Sequence, residues 1–460
     1  MYKKGEKIHF VGIGGIGMSG IAEVLINLGY RVSGSDLNET DLTQRLAALG
    51  GEIHLGHAPA WVQGADVVVV SSAVRGNNPE VLAAHELHIP VIPRAAMLAE
   101  LMRLKKFGIA IAGSHGKTST TTLVGWVLAQ AGLDPTVVIG GKVNSLGSNA
   151  KLGAGDFLVA EADESDGSFL QLSPALEVVT NIDREHLDYY ADLEAIKEAY
   201  LAFMEKIPFF GAVILCLDDP HIADLLPAIR KRVITYGLSS QADVQARDVR
   251  IDGFQTRFEV LTGGAVLGAV TMPVPGRHTA LNALAAVAVG LELEIPFAVI
   301  AAALGSCSGV QRRLQIKGET RGILVVDDYG HHPTEVKATL AALREACPSR
   351  RLVVLFQPHR YSRTQALFKE FCTAFHDADL LYVTEIYAAG EVPLEGVSGA
   401  WLAEGLKQYG QKQVQFVATL ENLVAQVQPE LLAGDVVITL GAGNIPRAGE
   451  ELLRCLREGT

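Results

Sequence analysis

The stretch Gly113-Ser-His-Gly-Lys-Thr118 constrains the fold of this chain more than any other part of the sequence. It follows the apolar run 107–112 and opens a helical pattern of apolar residues. A strand that turns through glycines into a helix presents backbone N–H groups and the positive end of the helix dipole to an anion. Lys117 adds positive charge for phosphate groups, and the hydroxyl of Thr118 is a typical magnesium ligand. The stretch therefore predicts a triphosphate-binding loop, two residues tighter than the common form because Ile111 replaces its first glycine.

A second glycine-rich turn, Gly12-Ile-Gly-Gly-Ile-Gly-Met-Ser-Gly20, lies near the N-terminus, at the end of a strand predicted for residues 8–13. The next predicted strand, 31–35, ends at Asp36. Glycines at this spacing, with an acidic residue about twenty positions later, are typical of dinucleotide-binding turns that place a pyrophosphate on a helix N-terminus. The pattern does not identify the nucleotide. A nicotinamide-dependent oxidoreductase and an enzyme that binds another diphosphate therefore both remain open here.

Two polar segments follow predicted strands in the middle of the chain. Glu161-Ala-Asp-Glu-Ser-Asp166 follows the strand 156–160, and Asn181-Ile-Asp-Arg-Glu-His-Leu-Asp188 follows the strand 178–180. Acidic residues after a buried strand, in a domain that holds a phosphate loop, are placed like the carboxylate that binds Mg²⁺ in nucleotide hydrolases. The alternatives are a solvated acidic turn for the first segment and a helix cap for the second.

Another α/β region begins near residue 312. Its predicted strands 323–326 and 352–356 run into the loops Asp327-Asp-Tyr-Gly-His-His-Pro333 and Gln357-Pro-His-Arg-Tyr-Ser-Arg363. A third strand, 436–440, ends in Gly441-Ala-Gly-Asn444. Since ligands bind in the crevice outside the carboxyl ends of parallel strands, these loops predict a cationic ligand crevice.

Length and composition set the broad class. A chain of 460 residues predicts about three domains, and the alternation of strands and helices predicts an α/β fold with parallel sheets. A net charge of −12 without a basic stripe argues against nucleic acid as a partner. No apolar run is long enough for membrane insertion, and the N-terminus lacks a secretion signal, so we expect a cytoplasmic protein. The five cysteines are scattered and predict reduced thiols.

With these segments in place, the chain resembles the Mur ligases over nearly its whole length. The resemblance is carried by seven motifs in family order: the two glycine-rich turns, Glu161–Asp166, Asn181 with His186, Gly276-Arg-His-Thr-Ala-Leu-Asn282, Asp327–Pro333 and Gln357–Arg363. It implies a three-domain α/β fold: a Rossmann-like UDP-sugar domain (1–98), a central phosphate-loop ATPase domain (99–312) and a Rossmann-like amino-acid domain (313–460). The first turn would then hold a UDP diphosphate and no redox cofactor.

The resemblance also implies a reaction. ATP activates the lactyl carboxylate of UDP-N-acetylmuramate as an acyl phosphate, L-alanine attacks it, and two Mg²⁺ ions assist. This is the first peptide-stem step of peptidoglycan synthesis. Three alternatives stay open: a ligase that attaches a preformed tripeptide to the same sugar nucleotide, the nicotinamide-dependent oxidoreductase, and a nucleotide-gated regulatory protein. The sequence leaves a monomer and a homodimer equally open.

The resemblance assigns the family's binding and catalytic roles to the residues at the matching motif positions. The UDP-sugar is assigned to Gly14, Gly15, Ile16, Gly17, Met18, Ser19, Asp36 and Ser72. ATP is assigned to Gly113, Ser114, His115, Gly116, Lys117, Thr118, Ser119, His278, Asn282 and Arg313, with Arg312 the alternative to Arg313. Metal ions are assigned to Thr118, Glu161 and His186, and the amino acid to Tyr329, His331, Arg360 and Arg363. The catalytic set is Lys117, Glu161, His186, His331 and Arg360.

Three positions depart from the family pattern. Thr279 replaces an asparagine, and Gln365 stands where many relatives have arginine. Several Mur ligases use a carbamylated lysine near the metals, but Tyr200 occupies that place and Lys197 lies one turn earlier. We therefore expect no carbamate in this chain.

Overall fold

The computed structural model describes residues 5–71, 73–140, 150–187 and 189–458, and within these ranges the strands form three sheets. The first sheet is parallel, with strand order β3-β2-β1-β4-β5. Its elements are β1 (Lys7–Val11), α1 (Ile16–Asn27), β2 (Arg31–Asp36), α2 (Asp41–Ala48), β3 (Glu52–Leu55), β4 (Val67–Val70), α3 (Pro79–Glu86) and β5 (Val91–Pro93). Because β1 lies in the middle and the strand order reverses beside it, the first glycine-rich turn sits at the topological switch point.

The second sheet has ten strands in the described ranges, in the order β15-β14-β13-β12-β11-β10-β6-β9-β7-β8. Its helices and strands are α4 (Arg94–Arg103), β6 (Phe107–Ala112), α5 (Lys117–Gln130), β7 (Thr136–Val138), β8 (Ala150–Lys151), β9 (Phe157–Glu161), β10 (Leu176–Val179), α6 (Leu193–Met204), β11 (Ala212–Cys216), α7 (Pro220–Leu225), β12 (Val233–Gly237), β13 (Val244–Asp252), β14 (Gln255–Thr262), β15 (Ala265–Met272), α8 (Arg277–Glu292) and α9 (Phe297–Ser306). Strand β6, which leads into the phosphate loop, pairs in parallel with both β10 and β9. The acidic segments after β9 and β10 therefore start at the same edge of the sheet as the loop.

The third sheet has the order β16-β17-β21-β18-β19-β20, and only β16 runs antiparallel in the register that the structure describes. Its elements are β16 (Gln315–Thr320), β17 (Ile323–Asp328), α10 (Pro333–Ala346), β18 (Leu352–Phe356), α11 (Tyr361–Ala366), α12 (Phe368–Cys372), β19 (Leu380–Val383), α13 (Gly399–Gln408), β20 (Val414–Phe416), α14 (Leu420–Val427), β21 (Val436–Leu440) and α15 (Pro446–Glu458). Alternate side chains of β18 pack into two different hydrophobic cores. Val354 belongs to one core, and Val353 and Leu355 belong to the other. Helices thus cover both faces, which confirms the predicted α/β architecture.

The described chain separates into two compact units. One comprises residues 1–248, 258–271 and 281–310, and the other comprises 249–257, 272–280 and 311–460. The three-domain limits given above stay a prediction. All five cysteines are free thiols, and four of them are buried. Among the described helices, none has the length and apolarity to cross a membrane.

Candidate active site

The phosphate loop has the backbone geometry that its glycines predict. Gly113 and Gly116 have φ of 124° and 83°, a region that side-chain-bearing residues rarely adopt. A Cβ on Gly113 would lie 2.0 Å from Oγ1 of Thr180 and 2.9 Å from its backbone N, so the segment that follows β10 requires glycine there. Helix α5 begins at Lys117, and no side chain caps its N-terminus. The first-turn N–H groups of α5 therefore remain available to an anion.

The segment after β10 holds the loop in place. The N–H of His115 donates to Oδ1 of Asn181 at 2.7 Å, and Nδ2 of Asn181 donates back to the carbonyl of His115 at 3.0 Å. The ring of His115 pairs with Asp183 at 2.8 Å, and the hydroxyl of Ser114 accepts from the N–H of Asp183 at 2.8 Å. The side chains of Ser114 and His115 thus bind the protein, and the backbone of the loop is the part that faces an anion.

Lys117 lies at the centre of the charged groups. Its ammonium donates to Oε1 of Glu164 at 2.8 Å and to the carbonyl of Gly113 at 2.6 Å. Burial by itself lowers the pKa of Lys117, but the charges of Glu164, Asp163 and Glu185 outweigh it and raise the pKa to about 12. Lys117 is therefore fully charged at neutral pH.

A cluster of possible metal ligands adjoins Lys117. Glu164, Glu185 and His186 each place one ligand atom within 4.8 Å of the others. In the described structure, Oε2 of Glu164 is buried and accepts no hydrogen bond. Burial lowers the pKa of His186, but a hydrogen bond to Glu164 and the charge of Glu185 raise it overall. The two carboxylates of this cluster suit Mg²⁺, and His186 adds a nitrogen donor.

Glu161 is the last residue of β9, and its carboxylate interacts with the charge of Lys117. Its Oε1 accepts from the N–H of Gly140 at 2.8 Å. Burial raises the pKa of Glu161, and the hydrogen bond from Gly140, the charge of Lys117 and the hydroxyl of Thr118 oppose that rise. The structure therefore brings together Thr118, Glu161 and Lys117, three of the residues predicted from the sequence.

Helix α8 carries the predicted nucleotide-contacting pair, His278 and Asn282, one turn apart. Oδ1 of Asn282 accepts from Thr120 at 3.3 Å, and a Cβ on Gly116 would lie 2.7 Å from that oxygen. Asn282 thus borders the phosphate loop within the first compact unit. Burial and the charge of Arg313 lower the pKa of His278 to about 4, so this ring is neutral at pH 7.

In the N-terminal glycine-rich turn, the backbone is better placed to contact a ligand than the side chains are. The N–H of Gly14 donates to Oδ2 of Asp36 at 2.9 Å, and a Cβ at position 14 would lie 2.8 Å from the same oxygen and displace this carboxylate. Met18 is buried, and the hydroxyl of buried Ser19 donates to the carbonyl of Ile16. Gly15 caps α1 without a side chain, and Gly17 lies in its first turn. Ser72 lies outside the described residues.

The second unit contains the predicted cationic crevice, at the carboxyl ends of β17 and β18. The ring of His331 lies 5.3 Å from that of Tyr329 and 5.7 Å from that of His359. His359 stacks on Tyr387 and lies 3.3 Å from Nη1 of Arg363. Burial, His331 and Arg363 lower the pKa of His359 to about 3. The loop thus concentrates positive charge around a neutral histidine.

Three arginines, Arg312, Arg313 and Arg360, lie near this crevice and are held by protein contacts. Arg360 caps α11 with φ of 68°, and its N–H donates to the carbonyl of Tyr387 at 2.9 Å. The guanidinium groups of Arg312 and Arg313 lie 4.9 and 5.5 Å from the centre of the Tyr329 ring. Arg312 also binds Asp327 at 3.0 Å, and Arg313 binds Glu335 at 3.2 Å. Tyr329 therefore lies between residues predicted for the nucleotide and those predicted for the amino acid.

Sequence reasoning left two residues of the metal cluster without a role. Glu164 stood in a run of four acids, and spacing alone does not tell which acid faces Lys117. Glu185 directly precedes His186 in the second polar segment, and the family resemblance gave a metal role to His186 alone. The structure also shows the two residues near the place where several Mur ligases have a carbamylated lysine. Tyr200 is fully buried, and the ammonium of Lys197 binds Glu194 and Asp224.

A phosphate loop, an adjoining carboxylate cluster and a cationic crevice on a separate α/β sheet define a nucleotide-dependent ligase class. Three family models match the chain in succession: Mur ligase family, catalytic domain, over residues 7–106; Mur ligase middle domain, over 111–290; and Mur ligase, glutamate ligase domain, over 312–443. The chain therefore belongs to the Mur ligase family.

Three individual proteins are similar to this chain over nearly its whole length. The chain is 62% identical over 456 residues to the UDP-N-acetylmuramate–L-alanine ligase of Desulfotalea psychrophila, and the match covers 99% of each protein. The solved structure of UDP-N-acetylmuramate-alanine ligase from Thermotoga maritima superposes with a TM-score of 0.83 at 31% identity, covering 99% of this chain and all of that one. A murein peptide ligase from Psychrobacter arcticus gives 0.70 at 25% identity, covering 98% and 99%.

Proposed function

We propose that this chain ligates L-alanine to the lactyl carboxylate of UDP-N-acetylmuramate with conversion of ATP to ADP and phosphate, the first peptide-stem step of peptidoglycan synthesis. The observation that carries the proposal is the cluster of Lys117, Glu161, Glu164 and His186 around a helix N-terminus, which suits phosphoryl transfer. The full-length relatives supply the identity of the substrates. The cytoplasm is the location that goes with this proposal.

The proposed reaction has two steps, a phosphoryl transfer and an acyl transfer. One carboxylate oxygen attacks the γ-phosphorus of ATP, the bond from phosphorus to the bridging oxygen breaks, and ADP leaves. The nitrogen of alanine then attacks the acyl carbon, and inorganic phosphate leaves with the oxygen that came from the carboxylate. The nitrogen, an ammonium in free alanine, gives up two of its three protons, and the amide keeps the third.

In this proposal the first unit screens negative charge. An anionic carboxylate approaches an anionic phosphate, so the transition state requires positive charge that is already in place. Lys117 supplies a full charge, since its pKa is about 12, and the first-turn N–H groups of α5 add the helix dipole. Asn282 and Thr120 border the same loop, which gives the nucleotide a polar wall.

The residues present fit magnesium. Glu164 has a buried oxygen without a hydrogen bond in the described structure, and Glu185 and His186 lie within ligand spacing of it. Glu161 and Thr118 would form the second group of ligands beside Lys117. Bound magnesium supplies Lewis-acid stabilisation of the phosphoryl oxygens. Chelation of divalent ions is expected to abolish turnover, and magnesium should restore it.

The crevice of the second unit is assigned to the amino acid. A carboxylate pairs well with a planar guanidinium. Arg360 is the N-cap of α11, and Arg363 lies in the first turn of that helix. His331 is our candidate for the group that takes a proton from the attacking ammonium, because imidazole is the side chain that most often serves as a general base. Burial, together with its cationic neighbours, lowers the pKa of His359 to about 3, so this neutral ring is better suited to packing against Tyr387.

The test is an assay of ADP formation and of the product mass, with and without UDP-N-acetylmuramate. Its panel contains alanine, glycine, serine and a preformed tripeptide, since a murein peptide ligase is also similar in structure. The proposal predicts ADP only when the sugar nucleotide and a small amino acid are both present, with alanine the best substrate. If the sugar nucleotide supported ADP formation with the tripeptide and with none of the amino acids, the tripeptide ligase would replace this proposal. Tight NAD(H) binding without binding of the sugar nucleotide would replace it with the oxidoreductase.

A further inference from the structure

Arg360, one of the two arginines assigned to the amino acid, has a strained backbone. Its φ is 68° and its ψ is 137°, a combination that residues with a side chain rarely adopt. A residue in such a conformation persists only where the surrounding structure holds it, and such residues cluster at ligand sites. The contacts that hold Arg360 therefore bear on how the crevice binds its substrate.

Residues 387–391, in the loop that follows β19, supply those contacts, and we call them the bracing segment. The N–H of Tyr387 donates to the carbonyl of Pro358 at 2.8 Å, and the N–H of Arg360 donates to the carbonyl of Tyr387 at 2.9 Å. His359 lies between these two bonds, forms a parallel bridge with Tyr387 and stacks its ring on the tyrosine. The first residue of the bracing segment thus fixes the backbone on both sides of His359.

The last residue of the bracing segment, Glu391, binds the start of α11. Its Oε2 accepts from the N–H of Ser362 at 3.1 Å, and its Oε1 accepts from the hydroxyl of Ser362 at 2.5 Å. Ser362 is the second residue of α11, so Glu391 satisfies one of the N–H groups that a helix leaves open in its first turn. Because Ser362 lies between Arg360 and Arg363, Glu391 holds the backbone that joins the two arginines.

We propose that Glu391 is a positioning residue for the amino-acid substrate: through Ser362 it holds Arg360 and Arg363 in the orientation that binds the substrate carboxylate. This role rests on the proposed function, in which the crevice of the second unit binds alanine. The pairing of a guanidinium with a carboxylate depends on orientation, so a shift of the backbone that carries the arginines weakens it. The negative charge of Glu391 by itself repels a carboxylate, so its contribution to binding comes from geometry.

The kinetic test measures KM for alanine, ATP and UDP-N-acetylmuramate in the full chain and its variants. Glu391→Ala removes both bonds to Ser362 and should raise KM for alanine about ten-fold, with a smaller change in kcat and no change in KM for the other two substrates. Glu391→Gln keeps an oxygen for the N–H and an amide for the hydroxyl, so its KM for alanine should stay near that of the wild type. Glu395→Ala is the matched control, because it removes the same charge from an exposed position of the same loop.

Two further measurements separate positioning from a structural role. Ser362→Ala removes only the hydroxyl and should raise KM for alanine less than Glu391→Ala does, and the double variant should match Glu391→Ala because both substitutions break one link. Hydrogen exchange of the amides of residues 360–363, measured without substrate, should become faster in Glu391→Ala and stay unchanged in Glu395→Ala. A merely structural role would lower the active fraction, and hence kcat, with every KM unchanged.

An unchanged KM for alanine in Glu391→Ala would overturn the inference, as would an equal rise in Glu391→Gln or in Glu395→Ala. Unchanged hydrogen exchange in Glu391→Ala would overturn it as well. Failure of the proposed function is a separate result, since the wild type would then form no alanyl product. The exchange measurement needs no substrate and would still decide whether Glu391 holds the backbone of the two arginines.

Discussion

A buried carboxyl group in the middle of β10 gives the sharpest physical prediction. Glu177 is fully buried, and in the described structure neither of its carboxyl oxygens has a hydrogen-bond partner. Its cross-strand neighbours are Ala110 and Val213, which are themselves fully buried. Desolvation therefore raises the pKa of Glu177 well above its ordinary value, and the folded chain holds a proton that the unfolded chain releases.

The sign and size of the effect follow from proton linkage. Because the pKa is raised in the folded state, the stability contribution is complete below the unfolded-state pKa and is lost as the pH rises toward the folded-state pKa. In that window the free energy of unfolding falls by about 1.4 kcal/mol per pH unit from this group alone. Glu177→Gln cannot ionise and removes this slope. Glu177→Met also removes the buried polar group and should be more stable than the wild type at pH 7 by about 2 kcal/mol or more.

The assay is urea unfolding at several pH values between about 5 and 7, the window above the unfolded-state pKa. Replacing Trp61 and Trp401 by Phe leaves Trp126, on α5, as the fluorescence reporter of the sheet that contains β10. Glu198→Gln, at an exposed position of α6, is the matched control and should keep the wild-type slope. Equal slopes for the wild type and Glu177→Gln, or a Glu177→Met variant less stable than the wild type at pH 7, would refute the reasoning.

Three further substitutions test the site, each by steady-state kinetics. Lys117→Met should lower kcat by about 10²–10³-fold while the fold persists, because it removes charge from the transition state; Lys106→Met, on the surface, should not. Gly116→Ala strains a residue at φ 83° and brings a Cβ within 2.7 Å of Asn282, so it should raise KM for ATP and lower the midpoint of thermal unfolding, from strain of about 1–3 kcal/mol. Arg363→Ala should raise KM for alanine about ten-fold or more with a smaller change in kcat, for the loss of a charged hydrogen bond; an unchanged KM would point to Arg360.

The sequence predicted those features of the fold that depend on local chemistry. Strand β6 runs from Phe107 to Ala112 as expected, α5 begins at Lys117, and the glycine-rich turn between them has positive φ at Gly113 and Gly116. Glycines and a strand-to-helix transition are local signals, so they can be recognised without knowledge of the packing. The two polar loops of the third sheet also meet, because β17 and β18 each pair with β21.

Other features depend on packing and were missed or left open. The edge strand β3 (Glu52–Leu55) was not predicted, because its residues are half-exposed and carry charge, so no apolar run marks it. The strand expected from residue 178 begins at Leu176, since Glu177 looks like a solvent-facing residue in sequence yet is buried between two apolar strands. Which acid contacts Lys117 depends on the turn after β9, and the structure selects Glu164. The roles of the site residues stay predictions.

The central claim is that the sugar-borne carboxylate is activated as an acyl phosphate before alanine attacks. It is tested most directly by following ¹⁸O from the lactyl carboxylate of labelled UDP-N-acetylmuramate into the phosphate released during turnover, by mass spectrometry. The account predicts one carboxylate-derived oxygen in each phosphate formed together with the alanyl product. Release of phosphate without that oxygen, while the alanyl product accumulates, would contradict it.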